Sequence, residues 1–183
     1  MNLLMLYSST DGHTVTIMQH MAKYLGDRAT CQIHNLHDEP ELSQASHQQV
    51  LIGASIRYGH FKPAMYDYIR RHKSQLEALS GSFFGVNLTA RKPGKSDPDT
   101  SPYIQKFVAK SAWQPRHLGL FAGALFYPRY KFWDRQIIRL IMKITGGPTD
   151  PSTEVIYTDW QAVERFADLL LSESESGSKD QAP

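Results

Sequence analysis

Five short apolar segments alternate with helical patterns along this chain, and that alternation most restricts the fold it can adopt. The segments are Leu3–Tyr7, Thr30–Leu36, Val50–Ser55, Ser82–Leu88 and His117–Ala124. Strands that are joined through helices run parallel, and helices then cover both faces of their sheet. The sequence therefore predicts an α/β fold with a doubly wound, five-stranded parallel sheet. The expected strand order is 2-1-3-4-5, with a switch point between strands one and three.

The size and composition fit one globular domain. The chain has 183 residues, a formal net charge of +2 and a single cysteine, Cys31, so an intramolecular disulfide is excluded. We expect a single domain over residues 1–171 and a disordered Ser/Glu-rich tail over residues 172–183. No signal peptide and no run long enough to span a membrane is recognisable, which predicts a cytoplasmic location.

The turn after the first strand, Ser8–Thr14, is rich in hydroxyl groups and directly precedes a helix predicted over residues 15–25. The first amides of a helix have no partner within it, and the helix dipole adds partial positive charge at the same place. Such a turn binds a phosphate readily. The alternative is a simple N-cap by Asp11 or Thr14. Its position after the first strand of an α/β sheet favours the phosphate.

Two further loops should meet the phosphate turn at the switch point. They are Ser55–Lys62, after strand three, and Asn87–Lys95, after strand four. The chain has neither a dinucleotide fingerprint nor a nucleotide P-loop. A single phosphate site beside Tyr58 and His60 suits a flat aromatic mononucleotide, and flavin mononucleotide (FMN) is the physical candidate. His60 is a weak candidate for proton transfer, with a hydrogen-bonding or packing role as the alternative.

The fifth strand is followed by an insertion, about residues 125–150. A helix should begin at Phe132 and end near Gly146. Arg135, Arg139 and Lys143 lie on one side of it, and a large apolar group that includes Trp133 lies on another. This pattern is typical of a helix in an anionic membrane interface. The alternative is a helix docked on the core with a solvated basic face. We expect residues 153–157 to complete the interrupted fifth strand.

A cluster of His34, His37, Asp38 and Glu39 has the residue types of a metal site. It lacks a rigid helical spacing and is interpreted as a solvated loop, so no metal is expected. We also expect no nucleic-acid partner.

Six stretches of the sequence resemble a known family. Tyr7–Thr14 is similar to the flavodoxin phosphate loop, although Met18 stands where that signature usually has a small residue. The insertion resembles an enlarged form of the long-chain flavodoxin insertion. More narrowly, five blocks resemble the quinone-dependent (menaquinone) protoporphyrinogen IX dehydrogenases of proteobacteria. The blocks are Val50–His60, Val86–Pro93, Ala122–Tyr130, Leu140–Gly147 and Val155–Trp160.

The resemblance covers residues 1–171 and implies a flavodoxin-like fold whose long insertion interrupts the fifth strand. It implies FMN-dependent oxidation of protoporphyrinogen IX to protoporphyrin IX in haem biosynthesis. The electrons would pass to menaquinone or ubiquinone, from a peripheral position on the cytoplasmic face of the inner membrane.

The three loops, the fifth strand and the insertion supply the predicted contacts. Those to FMN are Ser9, Thr10, Asp11, Gly12, His13, Thr14, Ser55, Ile56, Arg57, Tyr58, Gly59, Asn87, Leu88, Thr89, Ala90 and Gly123. Those to the substrate are Arg57, Arg91, Lys92, Tyr127, Arg129, Tyr130 and Lys131, because two propionates need cations and an apolar macrocycle needs aromatic walls. Those to the membrane are Phe132, Trp133, Arg135, Arg139 and Lys143.

Two other oxidoreductive functions fit the same fold. An electron-carrier flavodoxin would have no substrate of its own, but such carriers are typically acidic and this chain is basic. An NAD(P)H:quinone reductase would oxidise a nicotinamide. A non-enzymatic phosphate-binding or membrane-binding domain would purify colourless.

Overall fold

A computed structural model describes residues 1–176, with side chains to Ser172. Its parallel sheet has the order β2-β1-β3-β4-β5, which confirms the predicted fold class. The strands are β1 (Asn2–Ser8), β2 (Thr30–Asn35), β3 (Gln49–Ser55), β4 (Ser82–Asn87) and β5 (Leu118–Ala122). Every residue of β4 is buried, as expected for an inner strand that is covered on both faces.

Helices cover both faces of the sheet. They are α1 (His13–Leu25), α2 (Pro63–Arg71), α3 (Lys73–Ala78), α4 (Pro102–Ser111) and α6 (Trp160–Ser176), whereas α5 (Phe132–Ile144) belongs to the insertion. Successive side chains of a strand point to opposite faces. In β1, Leu4 and Leu6 belong to the core beneath α2, α3 and α4, and Leu3 and Met5 belong to the core beneath α1 and α6. The two cores fix the sheet between its helical layers.

A close contact between α1 and the sheet depends on Gly53. A Cβ atom at Gly53 would lie 2.3 Å from Cζ of Phe84 and 2.7 Å from Cε of Met18. Such distances are far below van der Waals contact, so this position accepts no side chain unless its neighbours move. The glycine thus makes room for Met18, the bulky residue by which the phosphate-loop region departs from the flavodoxin signature.

The insertion forms a small unit with its own apolar cluster. The short strands β6 (Ala124–Phe126) and β7 (Glu154–Ile156) pair antiparallel, and α5 lies between them in sequence. Leu125, Tyr127, Ile138 and Met142 are among the residues buried in this cluster. The expectation that residues 153–157 complete the fifth strand is therefore wrong. β4 ends at Asn87, opposite Ala122, so the sheet offers no neighbour beyond that point.

Two helix boundaries differ from the sequence pattern, which predicts one helix from Pro63 to about Leu79 and a final helix from Trp160 to Leu171. The segment after β3 forms two helices, α2 and α3, because the backbone at His72 leaves the helical conformation (φ −109°, ψ 16°). Helix α6 continues to Ser176, so residues 172–176 are helical and do not belong to a tail. Serine and glutamate are tolerated in a helix interior. Residues 177–183 of the predicted tail lie outside the described residues. Among the described helices, none has the length and apolar character to span a bilayer.

Candidate functional site

A cavity of about 480 Å³ opens at the carboxyl ends of β1, β3, β4 and β5. Parallel α/β sheets usually bind ligands at this edge. Fourteen of the sixteen predicted FMN contacts line it, and Gly12 and Ala90 do not. The lining residues are Ser9, Thr10, Asp11, His13, Thr14, Ser55, Ile56, Arg57, Tyr58, Gly59, Val86, Asn87, Leu88, Thr89, Tyr103, Gly123, Ala124, Tyr130, Ile138 and Ile141.

The turn after β1 has the geometry of an anion site. Gly12 has a φ of 81°, and no side chain caps α1. The amides of Val15 and Thr16 donate to the carbonyl of Gly12, which leaves those of His13 and Thr14 for a ligand. The amide of Gly12 itself donates to Oγ of Ser9 at 3.0 Å. The hydroxyls of Ser8 and Thr14 are buried and have no hydrogen-bond partner among the described residues. Buried hydroxyls are normally satisfied, so a missing acceptor at this turn fits a phosphate.

His13 joins the phosphate turn to the end of the insertion. Its Nε2 lies 2.7 Å from Oγ1 of Thr158, whose hydroxyl donates to the carbonyl oxygen of Ala122 at 2.7 Å. Because the hydroxyl has only one proton to give, Nε2 of His13 must be the donor in the first bond. Burial lowers the pKa of the imidazole. The neutral ring therefore carries its proton on Nε2.

The loop after β3 is a tight turn at the mouth of the cavity. The amide of Arg57 donates to the carbonyl of His60 at 2.9 Å, and the amide of His60 donates back at 3.0 Å. Tyr58 and Gly59 both have positive φ, 51° and 80°. A tyrosine in the left-handed region costs free energy and is commonest at functional sites. The turn holds the half-exposed ring of Tyr58 against the cavity.

Asn87 organises the third loop. Its Oδ1 accepts from the amide of Ala90 at 2.7 Å, which explains why Ala90 supports the loop without lining the cavity. Its Nδ2 is buried and lacks a partner among the described residues. The carbonyl of Asn87 accepts from the amide of Gly123 at 2.9 Å, so this loop is tied to the end of β5. A ligand with hydrogen-bond acceptors at its ring edge would satisfy the free amide nitrogen.

Five lining residues are absent from the predicted contacts: Val86, Tyr103, Ala124, Ile138 and Ile141. Ile138 and Ile141 are three residues apart on α5, so they share a face of the helix. The sequence showed the apolar spacing of these two residues. It did not show that they face this cavity, because that depends on how α5 packs. Tyr103, in the first turn of α4, gave no signal in the sequence.

The predicted substrate contacts are divided between the cavity and the insertion. Arg57 and Tyr130 line the cavity. Arg91 instead donates to the carbonyl of Leu88 at 2.7 Å and to Oγ1 of Thr145 at 3.2 Å. Arg129, shortly after β6, pairs with Glu154 of β7 at 3.3 Å. The arginine fork readily binds carbonyl and carboxylate oxygens, and the folded chain supplies them here.

The remaining predicted contacts lie outside the cavity lining. Tyr127 is fully buried and donates to the carbonyl of Pro148 at 2.8 Å. Lys92 is half-buried and Lys131 is exposed. His60, the weak candidate for proton transfer, is exposed, and its backbone rather than its ring closes the turn after β3.

Helix α5 exposes a broad apolar surface. The exposed fractions are 76% for Trp133 and 76% for Ile144, although both are large apolar side chains. Phe132, Ile137, Leu140 and Ile141 are also exposed. Of the predicted membrane cations, Lys143 is exposed, and Arg135 and Arg139 are half-buried. Nε of Arg139 donates to the carbonyl of Thr149 at 2.9 Å. Contiguous apolar surfaces of this kind mark interaction sites.

Comparisons with known proteins place this geometry in context. The family model described as a flavodoxin domain matches residues 4–152. A protein of Leishmania major named protoporphyrinogen IX dehydrogenase (quinone) is 51% identical over 166 residues, which cover 90% of this chain and 72% of that protein. A protein of the same name from Escherichia coli K12 is 44% identical over 170 residues, covering 91% of this chain and 93% of that protein. The solved structure of rubredoxin oxygen:oxidoreductase from Desulfovibrio gigas is similar in fold, with a TM-score of 0.50 and 11% identity, covering 96% of this chain and 36% of that one.

Proposed function

The chain belongs to the flavodoxin domain family, among relatives named protoporphyrinogen IX dehydrogenase (quinone), and from that premise we propose that it oxidises protoporphyrinogen IX with FMN and a quinone. The observation that carries the proposal is the cavity at the switch point. It joins an anion-binding turn to aromatic and apolar walls, and the insertion helix completes it.

The cavity residues fit FMN. The amides at the start of α1, with the unpartnered hydroxyl of Thr14, which lines the cavity, would hold the phosphate. Tyr58 would cover one face of the ring system, and the free amide nitrogen of Asn87 would bind its edge. When bound, FMN supplies the two-electron chemistry. The chain's own residues orient it and exclude water from one side.

The substrate would enter beside the insertion. Protoporphyrinogen IX is a large apolar macrocycle with two propionates. Arg57 is the cation that lines the cavity, and Tyr130, Ile138 and Ile141 supply an apolar wall. Lys92 and Lys131 are outlying candidates for a propionate. Arg57, Arg91 and Arg129 already bind oxygen atoms of the chain, so each would have to share or release a partner to bind a propionate.

We assign no general base to the reaction. His60 is exposed and His13 is a buried neutral imidazole whose Nε2–H is directed to Thr158. The redox step can release the substrate's protons to solvent.

A membrane-dissolved acceptor explains the surface of α5. Menaquinone and ubiquinone are dissolved in the lipid, so an enzyme that reduces them must reach the bilayer. The exposed Trp133 and Ile144 would enter the interface while Lys143 and Arg135 meet anionic headgroups. This arrangement supports the proposal that the protein is peripheral to the cytoplasmic face of the inner membrane and acts in haem biosynthesis.

The decisive test is an assay of protein that is loaded with FMN. Protoporphyrinogen IX and a short-chain quinone are added, and the appearance of fluorescent porphyrin is followed under conditions that suppress autoxidation. We expect porphyrin to form only when both FMN and quinone are present. Protein that binds FMN but oxidises only NAD(P)H would be a quinone reductase, and one that oxidises neither substrate would be an electron carrier. Colourless protein that cannot be loaded would contradict the proposal altogether.

A further inference from the structure

Arg57 lies between two carboxylates that belong to different parts of the fold. Its Nη1 is 3.0 Å from Oδ1 of Asp11, in the turn that precedes α1. Its Nη2 is 3.0 Å from Oδ2 of Asp134, in the first turn of α5. The Arg57 side chain is only 22% exposed, so solvent screens these contacts incompletely. One guanidinium thus joins the phosphate turn to the insertion helix.

Asp11 is an unexpected residue for an anion site. It lies between Thr10 and Gly12 and lines the cavity, where its carboxylate would repel a phosphate dianion. The same Nη1 of Arg57 also lies 3.2 Å from the second oxygen of Asp11. This ion pair offsets the negative charge of the carboxylate. The turn can then accept an anion in spite of the acid within it.

Asp134 ties the opposite side of Arg57 to the insertion. It is the one acidic residue between Tyr127 and Thr145. Its Oδ1 accepts from the hydroxyl of Tyr58 at 2.6 Å, while Oδ2 takes the guanidinium. These contacts lower the pKa of the Asp134 carboxyl, so it is ionised at neutral pH. Both of its oxygens are therefore held by the loop after β3.

We propose that Arg57 is a double-ended positioning residue, which neutralises Asp11 so that the turn can bind the FMN phosphate and seats α5 over the cavity through Asp134. This inference rests on the proposed FMN site and deepens it. Nη1 of Arg57 contacts Asp11 and Nη2 contacts Asp134, so the two roles use different nitrogen atoms. Substituting Asp11 or Asp134 alone therefore separates the two roles.

The phosphate end is tested by comparing FMN with riboflavin, which lacks the phosphate. Arg57→Gln should weaken FMN binding about tenfold or more and leave riboflavin binding within about threefold. Adding Asp11→Asn to Arg57→Gln should restore most of the FMN affinity, because the repelling carboxylate is gone. Arg28→Gln is the matched control, since Arg28, in the turn after α1, pairs with Asp168 of α6 at 3.1 Å. Arg28→Gln should change neither the FMN affinity nor the riboflavin affinity. Titration calorimetry measures both affinities for every variant.

The helix end is tested without any flavin. In the apo protein, Arg57→Gln and Asp134→Asn should both speed hydrogen exchange of the α5 amides, and Asp134→Asn should leave FMN affinity within about threefold. Arg28→Gln should leave α5 exchange unchanged.

Three results would overturn the inference. Equal FMN affinity of Arg57→Gln and the wild type would remove the phosphate role. An unrestored loss in the Asp11→Asn/Arg57→Gln double variant would show that Arg57 binds the phosphate directly. Unchanged α5 exchange in both single variants would remove the seating role. A wild-type protein that fails to bind FMN would instead refute the proposed function, and the exchange experiment would still decide the role of Arg57 at α5.

Discussion

At the scale of single residues, the polar atoms that lack partners are informative about the site. Ser8, Thr14 and Asn87 each have a buried polar atom without a hydrogen bond among the described residues. Ser8 and Asn87 end β1 and β4, and Thr14 is in the first turn of α1. A buried hydroxyl or amide without a partner is costly. The sequence indicated Thr14 and Asn87 by their place in loops. That their atoms lack protein partners is visible only in the fold.

Thr14→Val should separate ligand binding from stability. Valine has nearly the same shape and removes a buried hydroxyl that has no partner in the apo protein. We expect apo stability to be unchanged or slightly higher, and FMN affinity to fall about tenfold to a hundredfold, as for a lost hydrogen bond to a charged group. Urea unfolding and flavin fluorescence titration measure the two. Thr16→Val, at an exposed position of α1, is the control and should alter neither. Unchanged FMN affinity in Thr14→Val would contradict the placement of the phosphate.

His13 should make apo stability dependent on pH. Burial lowers the pKa of its imidazole in the folded protein, whereas an unfolded histidine titrates near about 6.5. The unfolded state then binds more protons, so the contribution of His13 is fully present above that unfolded value and is lost as the pH falls towards the folded pKa. The stability difference between the wild type and His13→Gln should therefore shrink from pH 7.5 to 5.5 in urea unfolding. If the free energies of unfolding of the wild type and His13→Gln changed in parallel with pH, a lowered pKa of His13 would be contradicted.

At the scale of elements, the apolar periodicity of α5 predicted the helix but not which of its apolar residues are buried. The sequence predicted an amphipathic helix from Phe132, with cations on one side, and the structure begins α5 at that residue. Ile138 and Met142 are buried in the insertion's own cluster, whereas Trp133 and Ile144 remain exposed. Periodicity identifies an apolar face, but neighbours decide which part of that face is covered. The covered part lies against β6 and the cavity, whose positions depend on distant segments.

The exposed part of α5 should drive vesicle binding. Replacing Trp133 and Ile144 together by serine removes two large apolar side chains that would each gain up to about 1.5–3 kcal/mol on full burial. We expect at least a tenfold loss of co-sedimentation with vesicles that contain phosphatidylglycerol, without loss of FMN binding. Leu169→Ser is the matched control, because Leu169 on α6 is also half-exposed. An equal loss of co-sedimentation in Leu169→Ser would show that any exposed apolar side chain promotes vesicle binding and that α5 is not a specific membrane surface.

Gly53→Ala should disturb the contact between α1 and the sheet. The added methyl would lie 2.3 Å from Cζ of Phe84, within a core that is packed on both sides. Overpacking of this kind typically costs about 1–3 kcal/mol. Urea unfolding should show the loss. Gly123→Ala, whose nearest neighbour would be Cγ1 of Val86 at 3.2 Å, should cost less. An equal or smaller loss for Gly53→Ala would contradict the close packing.

At the scale of the whole molecule, the buried apolar residues of the part of the chain that the structure describes form three clusters. Two lie on opposite faces of the sheet, and the third belongs to the insertion. The sheet and its flanking helices therefore have complete cores without α5. The insertion adds Tyr130, Ile138 and Ile141 to one wall of the cavity, while the phosphate turn belongs to the sheet. Under the proposed function, different parts of the chain would thus bind the cofactor phosphate and select the substrate.

Replacing Tyr127–Thr145 by a short Gly/Ser linker should test that division. We expect a folded protein that still binds FMN, more weakly because one wall is missing, but no longer oxidises protoporphyrinogen IX or binds vesicles. Circular dichroism, flavin titration and the porphyrin assay measure the three properties. Complete loss of flavin from a folded variant would show that the insertion belongs to the cofactor site itself.

Local sequence determined the strands and helices of the sheet, the hydroxyl-rich turn before α1 and the amphipathic character of the insertion. These features arise from periodicity and from residues that are adjacent in the chain, so a linear pattern encodes them. Tertiary structure decided that β7 pairs with β6 and not with the main sheet, and that Arg91 and Arg129 bind oxygens of the chain. It also set Arg57 between Asp11 and Asp134, which lie 46 residues before it and 77 residues after it. A charge pattern shows which residues can form ion pairs, but only the folded backbone brings particular partners within hydrogen-bond distance.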